Sequence, residues 1–162
     1  MDLSGVELEA ANLSAADFSY STMRDAGLSK CEFLMADMSF TDLRGANLSR
    51  ADLRGVNMRR ANLSDAEMVG AVLTEVNVST RAGGGEWRAS LEHAKLVRAN
   101  LSGADLRNTD LEGADFRDAS LRDVNFSGSL LIDCDFRGAD MRGAKLNNTD
   151  KRGAKGLPPA DY

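Results

Sequence analysis

Few residues of this chain are of the types from which catalytic or metal centres are built. In 162 residues there is one histidine, His93, and there are two cysteines, Cys31 and Cys134. A general base needs a proton donor within reach, and a zinc site needs further nitrogen or sulfur ligands. His93 ends the segment Ala89-Ser90-Leu91-Glu92-His93 with neither patterned beside it, and it is expected to be a solvated surface residue. Gly83-Gly84-Gly85 lacks the Lys-Ser/Thr pair and following helix that make a glycine-rich segment cradle phosphate. The abundant functional groups are carboxylates and guanidinium or ammonium groups, 25 Asp and Glu against 20 Lys and Arg, for a net charge of −5. The expectation is therefore no enzyme, no metal and no cofactor, and a protein that acts through its surface.

The element that presents this surface follows from a period of five. From Met1 to residue 80, the third residue of every block of five is Leu, Phe, Met or Val and the first is nearly always small, as in Ala46-Asn47-Leu48-Ser49 and Ala51-Asp52-Leu53-Arg54. The register breaks at Arg81 to Arg88 and resumes at Ala89-Ser90-Leu91, running to residue 153. A period of five drifts around a 3.6-residue helix and buries no single face, and an odd period sends successive leucines to opposite faces of a strand. What satisfies it is a coil in which each unit makes one side and then turns, the first and third residues pointing inward. Four sides close a coil of about 20 residues, and coils stack at about 4.8 Å. Asp, Asn and Ser at the second and fourth positions are expected to bond nearby backbone groups and so support the turns. Cys31 and Cys134 fall at the small first position, as buried thiols in place of Ala. Lying about five coils apart, they cannot form a disulfide within the chain.

The A-[DN]-L-x-x pattern of both blocks resembles the pentapeptide-repeat family. The resemblance implies an all-β, right-handed quadrilateral β-helix of about seven coils, a rod about 34 Å long at the spacing above. A single domain is expected over 1–157, with repeat blocks 1–80 and 89–153, an interruption at 81–88 and a tail at 158–162. The interruption is read as one side of the coil plus three inserted residues, with Trp87 either packing over the bulge or projecting as an anchor. Lys151 at a core position and Pro158-Pro159 read as the stop of the stack. The first coil, with no matching cap, is left to fray, to stack on another chain or to join a further domain. No apolar leader or membrane-length apolar run is present in the sequence, so a bacterial cytoplasmic protein without membrane contact is expected.

Stacking every 20 residues lets the outer surface be read in columns. Tyr20, Phe40 and Arg60 share one column, with Leu34 and Met35 on the adjoining side. This is either an edge stabilised by ring and cation–π contacts or a partner patch. Leu130 and Ile132 take positions otherwise held by Asp and Arg, and are candidates for self-association. Here the resemblance adds that family members are often dimers joined through their C-terminal coils. It also implies a sharper alternative, since one branch of the family imitates duplex DNA with an acidic rod, binds DNA gyrase or topoisomerase IV and gives quinolone tolerance. The candidate acidic surface for that role is Asp2, Glu7, Glu9, Asp17, Glu32 and Asp37, because residues 1–40 carry 7 acids against 2 bases. Over the remainder the signs interleave and cancel beyond a Debye length of about 8 Å, and no basic face emerges for direct nucleic-acid binding. The expected function is a non-enzymatic scaffold that binds another protein through its outer faces. The alternatives are the DNA mimic just described and a structural spacer of a larger protein.

Overall fold

The computed structural model describes residues 1–73 and 89–157. Over these the chain is a stack of square coils with no helix, each side being one five-residue unit with an extended second residue and a turn at its fourth and fifth. Coil one is 1–20, coil two 21–40 and coil three 41–60, and coil four begins at residue 61. Coils five, six and seven are 89–108, 109–128 and 129–148, and an eighth begins at residue 149. Within each coil the sides are numbered first to fourth in chain order.

Five residues suffice for a side because four N–H groups find backbone partners and, on many sides, a side chain takes the fifth. Around Leu43 the second-position N–H of Asn62 donates to Thr41 in the coil before (2.9 Å), and the third-position N–H of Leu43 donates to Asn62 in the coil after (2.7 Å). The fifth-position N–H of Gly45 also reaches the coil after, at Ser64 (3.0 Å), and the first-position N–H of Ala46 closes the turn on Leu43 (3.0 Å). Only the fourth N–H lacks a backbone acceptor, and a side chain supplies it: Ser64 N–H donates to Asn62 Oδ1 at 3.0 Å, and Ser127 to Asn125 Oδ1 at 3.1 Å. That is the reason for Asp or Asn at the second position, since a short side-chain oxygen two residues back is what an otherwise orphaned N–H requires.

The turn itself rests on the fifth residue. Every described fifth position has positive φ, from Ala10 at 59° to His93 at 55° and Gly103 at 73°. This left-handed region costs an ordinary residue roughly 1–2 kcal/mol and excludes β-branched side chains, so the fifth position holds Gly, Asp, Asn, Ala, long chains and aromatics, and never Val, Ile or Thr among the described residues. At the corner between first and second sides, glycine alternates with a larger residue down the stack: Gly5, Asp25, Gly45 and Asp65, then His93, Gly113, Asp133 and Gly153. Asp25, His93 and Asp133 each lie over the glycine beneath, whereas Asp65 has His93 beneath it across the interruption. A methyl group on Gly113 would come 2.3 Å from His93 Nδ1, and one on Gly153 would come closer still to Asp133 Oδ1.

First and third residues fill the axis. Leu28, Leu48, Leu53, Leu63, Leu96 and Leu121 are among those with no exposed surface. Phe116 and Phe136 stack at 5.1 Å in consecutive second sides, while Phe126 meets both edge-on at 6.0 Å from the fourth. Several polar first residues give their hydrogen to a third-position carbonyl 23 residues earlier, as with Thr41 Oγ1 to Phe18 (2.9 Å) and Cys134 Sγ to Leu111 (2.9 Å). At the ends Leu3, Leu8, Leu13 and Leu146 are only partly buried, and Lys151 is exposed. The ladder continues past Lys151 to the pairing of Asp135 with Lys155.

Across the interruption the ladder stays continuous but its step changes. Asn62 pairs with Ser90, Glu67 with Lys95 and Val72 with Asn100, a step of 28 residues in place of 20. One side plus three inserted residues would give a step of about 23, so that reading is corrected. Residues 89–93 form the first side of coil five, stacked on 61–65, and the step exceeds the 20-residue coil by eight residues. Trp87, Gly83 to Gly85, Pro158 and Pro159 lie outside the described residues.

The corner geometry makes a paired prediction. Gly103 and Gly143 share a φ of 73°, but nothing lies within 4 Å of a methyl group on Gly103, whereas one on Gly143 would come 2.2 Å from Asp123 Oδ1. Gly103→Ala is expected to cost about 1 kcal/mol from backbone conformation alone, and Gly143→Ala at least twice that unless Asp123 is also removed. Urea titrations of both variants, and of Gly143→Ala combined with Asp123→Ala, measure the difference; equal losses at the two sites would refute the contact.

Candidate functional site

The outer surface is made by second, fourth and fifth residues, and over much of the rod it is self-neutralising. In Asp115-Phe116-Arg117, the Asp115 carboxylate takes the Arg117 backbone N–H (3.1 Å), its Nε (2.9 Å) and its Nη2 (2.7 Å). Asp42 with Arg44, Asp52 with Arg54, Asp135 with Arg137 and Asp140 with Arg142 repeat the arrangement. Where the second residue is not acidic, the arginine reaches the next coil, as Arg24 does to Asp42 (2.7 Å) and Arg122 to Asp140 (2.6 Å). Arg59 is the exception: among the described residues no other fourth-position arginine is without a carboxylate.

Arg59 lies on the fourth side, where the candidate partner patch is found. Tyr20 and Phe40 stack at 4.6 Å with planes 8° apart, and Arg60 Cζ lies 5.5 Å from the Phe40 ring centre. Their fifth-position backbones place all three at the corner between the fourth side and the first side of the next coil. Tyr20 is 71% exposed and Phe40 40%. Leu34 (42% exposed) and Met35 (68%) occupy the preceding corner, five residues back along the chain. The structure thus places the two apolar groups at opposite edges of the fourth side rather than in one patch. Between them stand Asp17, bound to the Ser19 N–H (2.9 Å), and Asp37, bound to the Ser39 N–H (2.8 Å) and Asn57 Nδ2 (3.2 Å).

The N-terminal acids do not share a face. Asp2 is on the first side, Glu7 and Glu9 on the second, Glu32 on the third, and Asp17 and Asp37 on the fourth. Glu9 pairs with Lys30 at 2.6 Å, and Glu7 folds over Gly27 in the coil beneath. An acidic surface that summing charge along the chain does not reveal lies on the first side of coils four to seven. Asp65, Glu92, Asp110, Glu112 and Asp133 lie there with no lysine or arginine among them, and none joins an ion pair with either in the described residues. Leu130 and Ile132, half-buried, interrupt it. The signal was available as a column reading of second, fourth and fifth residues at the 20-residue step.

The thiols and the histidine gather no chemistry around them. Cys31 and Cys134 are free and buried, and burial pushes the Cys134 thiol up to about 12. His93 is exposed, with Nε2 3.6 Å from Glu92 Oε1. Among the described residues no three His, Cys, Asp or Glu side chains converge as a metal site, and no helix is long and apolar enough to cross a membrane.

The repeat found in the coordinates coincides with a known one. A family model for pentapeptide repeats matches in 8 copies, over residues 2–29, 36–75, 88–123 and 119–154. This chain belongs to the pentapeptide-repeat family. Solved pentapeptide-repeat structures share its right-handed quadrilateral β-helix. HetL of the cyanobacterium Nostoc sp. strain PCC 7120, described as involved in heterocyst differentiation regulation, is 26% identical over 95% of this chain and 86% of its own, with a TM-score of 0.27. A thylakoid-lumen member from Arabidopsis thaliana is 29% identical over 67% of this chain and 63% of its own, with a TM-score of 0.34. QnrB1, a plasmid-mediated fluoroquinolone resistance protein, is 17% identical over 93% and 89%, with a TM-score of 0.46. None of the curated proteins compared with the chain matches it.

Two predictions follow from the site chemistry. Hydrogen bonds from Arg44 and Arg137 hold the Asp42 and Asp135 carboxyls at about 2, and Arg142 with Arg122 holds Asp140 lower still. Because these values lie below the unfolded value near 4, the stabilisation is complete above about pH 4 and is lost as pH falls through about 2. Circular-dichroism melts are expected to show a midpoint that is level above about pH 4.5 and falls below pH 4; a midpoint unchanged at pH 2.5 would show the pairs contribute nothing. Separately, both thiols of the folded protein are expected to react with a thiol reagent at pH 8 at least tenfold more slowly than in denaturant.

Proposed function

We propose that this pentapeptide-repeat protein is a non-enzymatic scaffold that holds a protein partner against the fourth side of its first three coils. The observation that carries this reading is the concentration of exposed large apolar side chains there. In a fold that sends its first and third residues inward, Tyr20, Leu34, Met35 and Phe40 stand outward around a single side. The Tyr20–Phe40 stack and the Arg60 contact each contribute about 1 kcal/mol at an exposed site. Rigid stacked rings at a corner offer a partner broad apolar contact with little entropy left to lose.

A second reading, a DNA mimic that binds gyrase or topoisomerase IV and gives quinolone tolerance, is favoured by the acidic first side. Its unpaired carboxylates recur at roughly one per coil, or about 4.8 Å, against one phosphate per about 3.4 Å along a DNA strand.

Photo-crosslinking separates the readings. A benzoylphenylalanine in place of Tyr20 is expected to give one discrete protein adduct in cells, absent when the crosslinker replaces Ser127 and reduced at least fivefold by Phe40→Asp, which suits the left-handed backbone there. Equal adducts from both positions would sink the docking role, and none at all would favour a spacer. Inhibition of gyrase supercoiling by the purified protein, lost in Glu92→Gln/Glu112→Gln/Asp133→Asn, would promote the mimic instead.

A further inference from the structure

On seven sides of the described rod a second-position Asp and a fourth-position Arg cancel within one side. On the fourth side of coils one to three the two halves of that pair are separated by level. Coils one and two carry the acid without the base, Asp17-Phe18-Ser19 and Asp37-Met38-Ser39; coil three carries the base without the acid, Asn57-Met58-Arg59, followed by Arg60. Asp17 and Asp37 form no ion pair with Lys or Arg among the described residues, and their bonds to Ser19, Ser39 and Asn57 are neutral ones. The Arg59 side chain likewise has no carboxylate partner, and Arg60 rests on the Phe40 ring. This side therefore carries unspent negative charge toward the N-terminal end and unspent positive charge one coil below it, with apolar groups along both edges.

Such a side is complementary to itself. A two-fold axis perpendicular to it, passing near coil two, sets Asp17 of one copy level with Arg59 and Arg60 of the other, with Asp37 one coil step from the same arginines. The same operation repeats the match in reverse, as an isologous interface requires. It also brings the Tyr20–Phe40 edge of each copy toward the Leu34–Met35 edge of its mate, covering the apolar surface on both. From this geometry we infer that the fourth side of coils one to three docks a second copy of the same chain, antiparallel, through an apolar frame around two symmetry-related clusters in which Asp17 and Asp37 meet the mate's Arg59 and Arg60. The inference rests on the proposed docking role of this side and names its occupant. A parallel arrangement would set like charges together, and the charge separation selects against it.

A face of this extent belongs to the small, reversible class of interfaces, so the dimer is expected in the micromolar range and weakened by salt. Sedimentation velocity on the full chain tests this with a charge swap. Arg59→Glu/Arg60→Glu alone sets acid against acid in both halves of the interface, and Asp17→Lys/Asp37→Lys alone sets base against base. Each is expected to raise the dissociation constant at least tenfold, while an equimolar mixture restores a one-to-one dimer, because both contacts are then attractive. Met35→Asn, which removes an apolar contact without adding a charge, should weaken the wild-type dimer on its own, and circular dichroism of each variant verifies that the coil persists. Three outcomes overturn the inference: a wild-type monomer at 200 μM, variants that dimerise as the wild type does, or a dimer abolished only by Leu130→Asp/Ile132→Asp, which would place it at the C-terminal coils. In each of these cases a discrete adduct from Tyr20 to a different protein would leave the docking role standing, whereas its absence would remove both.

Discussion

Everything in this protein depends on a five-residue segment that must turn a corner while four of its N–H groups stay bonded to backbone. Three of the five donors are satisfied by the coils before and after, and one closes the turn. The remaining donor is taken by the side chain two residues earlier, as Asn62 does for Ser64. From that one requirement come the short oxygen-bearing second residue, the left-handed fifth residue and the inward first and third residues. A helix meets the same obligation by winding and a sheet by pairing long strands; here it is met by stacking, so each coil depends on its neighbours and no coil is complete alone.

The same economy decides where function can reside. With first and third residues committed to the axis and second residues to the turn, an outer side chain has freedom only if it departs from the local pattern. Most of the surface does not depart: Asp and Arg two apart bind each other, and beyond about 8 Å the pair is electrically silent. Two regions break this neutrality in different ways. The fourth side of the first coils separates the two charges and frames them with apolar edges. The first side of coils four to seven keeps acids and omits bases. The one offers a complementary contact, the other a field, and they face different directions on one rod.

How much of this could be read beforehand depended on which repeat distance carried the information. The five-residue period of Leu48, Leu53 and Leu63 gave the core, and the 20-residue step gave the Tyr20, Phe40 and Arg60 column down to its stacking order. The acids were less legible because summing charge along the chain mixes all four sides, so Glu7 and Asp17 look adjacent although they stand on different faces. The columns put Leu34 and Met35 on the side adjoining the Tyr20–Phe40 column, but they do not show that the width of the fourth side separates the two groups. The left-handed fifth position was visible in the frequency of Gly, Asp and Asn there, yet the turn was credited to the second and fourth residues alone. The eight residues after position 80 resembled one side plus an insertion, since five-residue spacing cannot distinguish a side from a surplus of similar length; only the pairing of Asn62 with Ser90 decides it.

The corner where glycine alternates with Asp or His has a bearing on how such a rod can lengthen or shorten. The backbone repeats every coil, but along that corner, within coils one to four and again within coils five to eight, the side chains repeat every second coil, a carboxylate or imidazole lying over a bare Cα; only Asp65 on His93, across the interruption, departs from this among the described residues. Loss of coil three alone would set Asp25 directly upon Asp65, and gain of a single copy would stack glycine on glycine or acid on acid. Loss or duplication of two coils together would leave the alternation intact. Within each run the unit of length along that edge is about forty residues rather than twenty, so a chain built from five-residue words keeps its corner contacts when it is edited in paragraphs of eight.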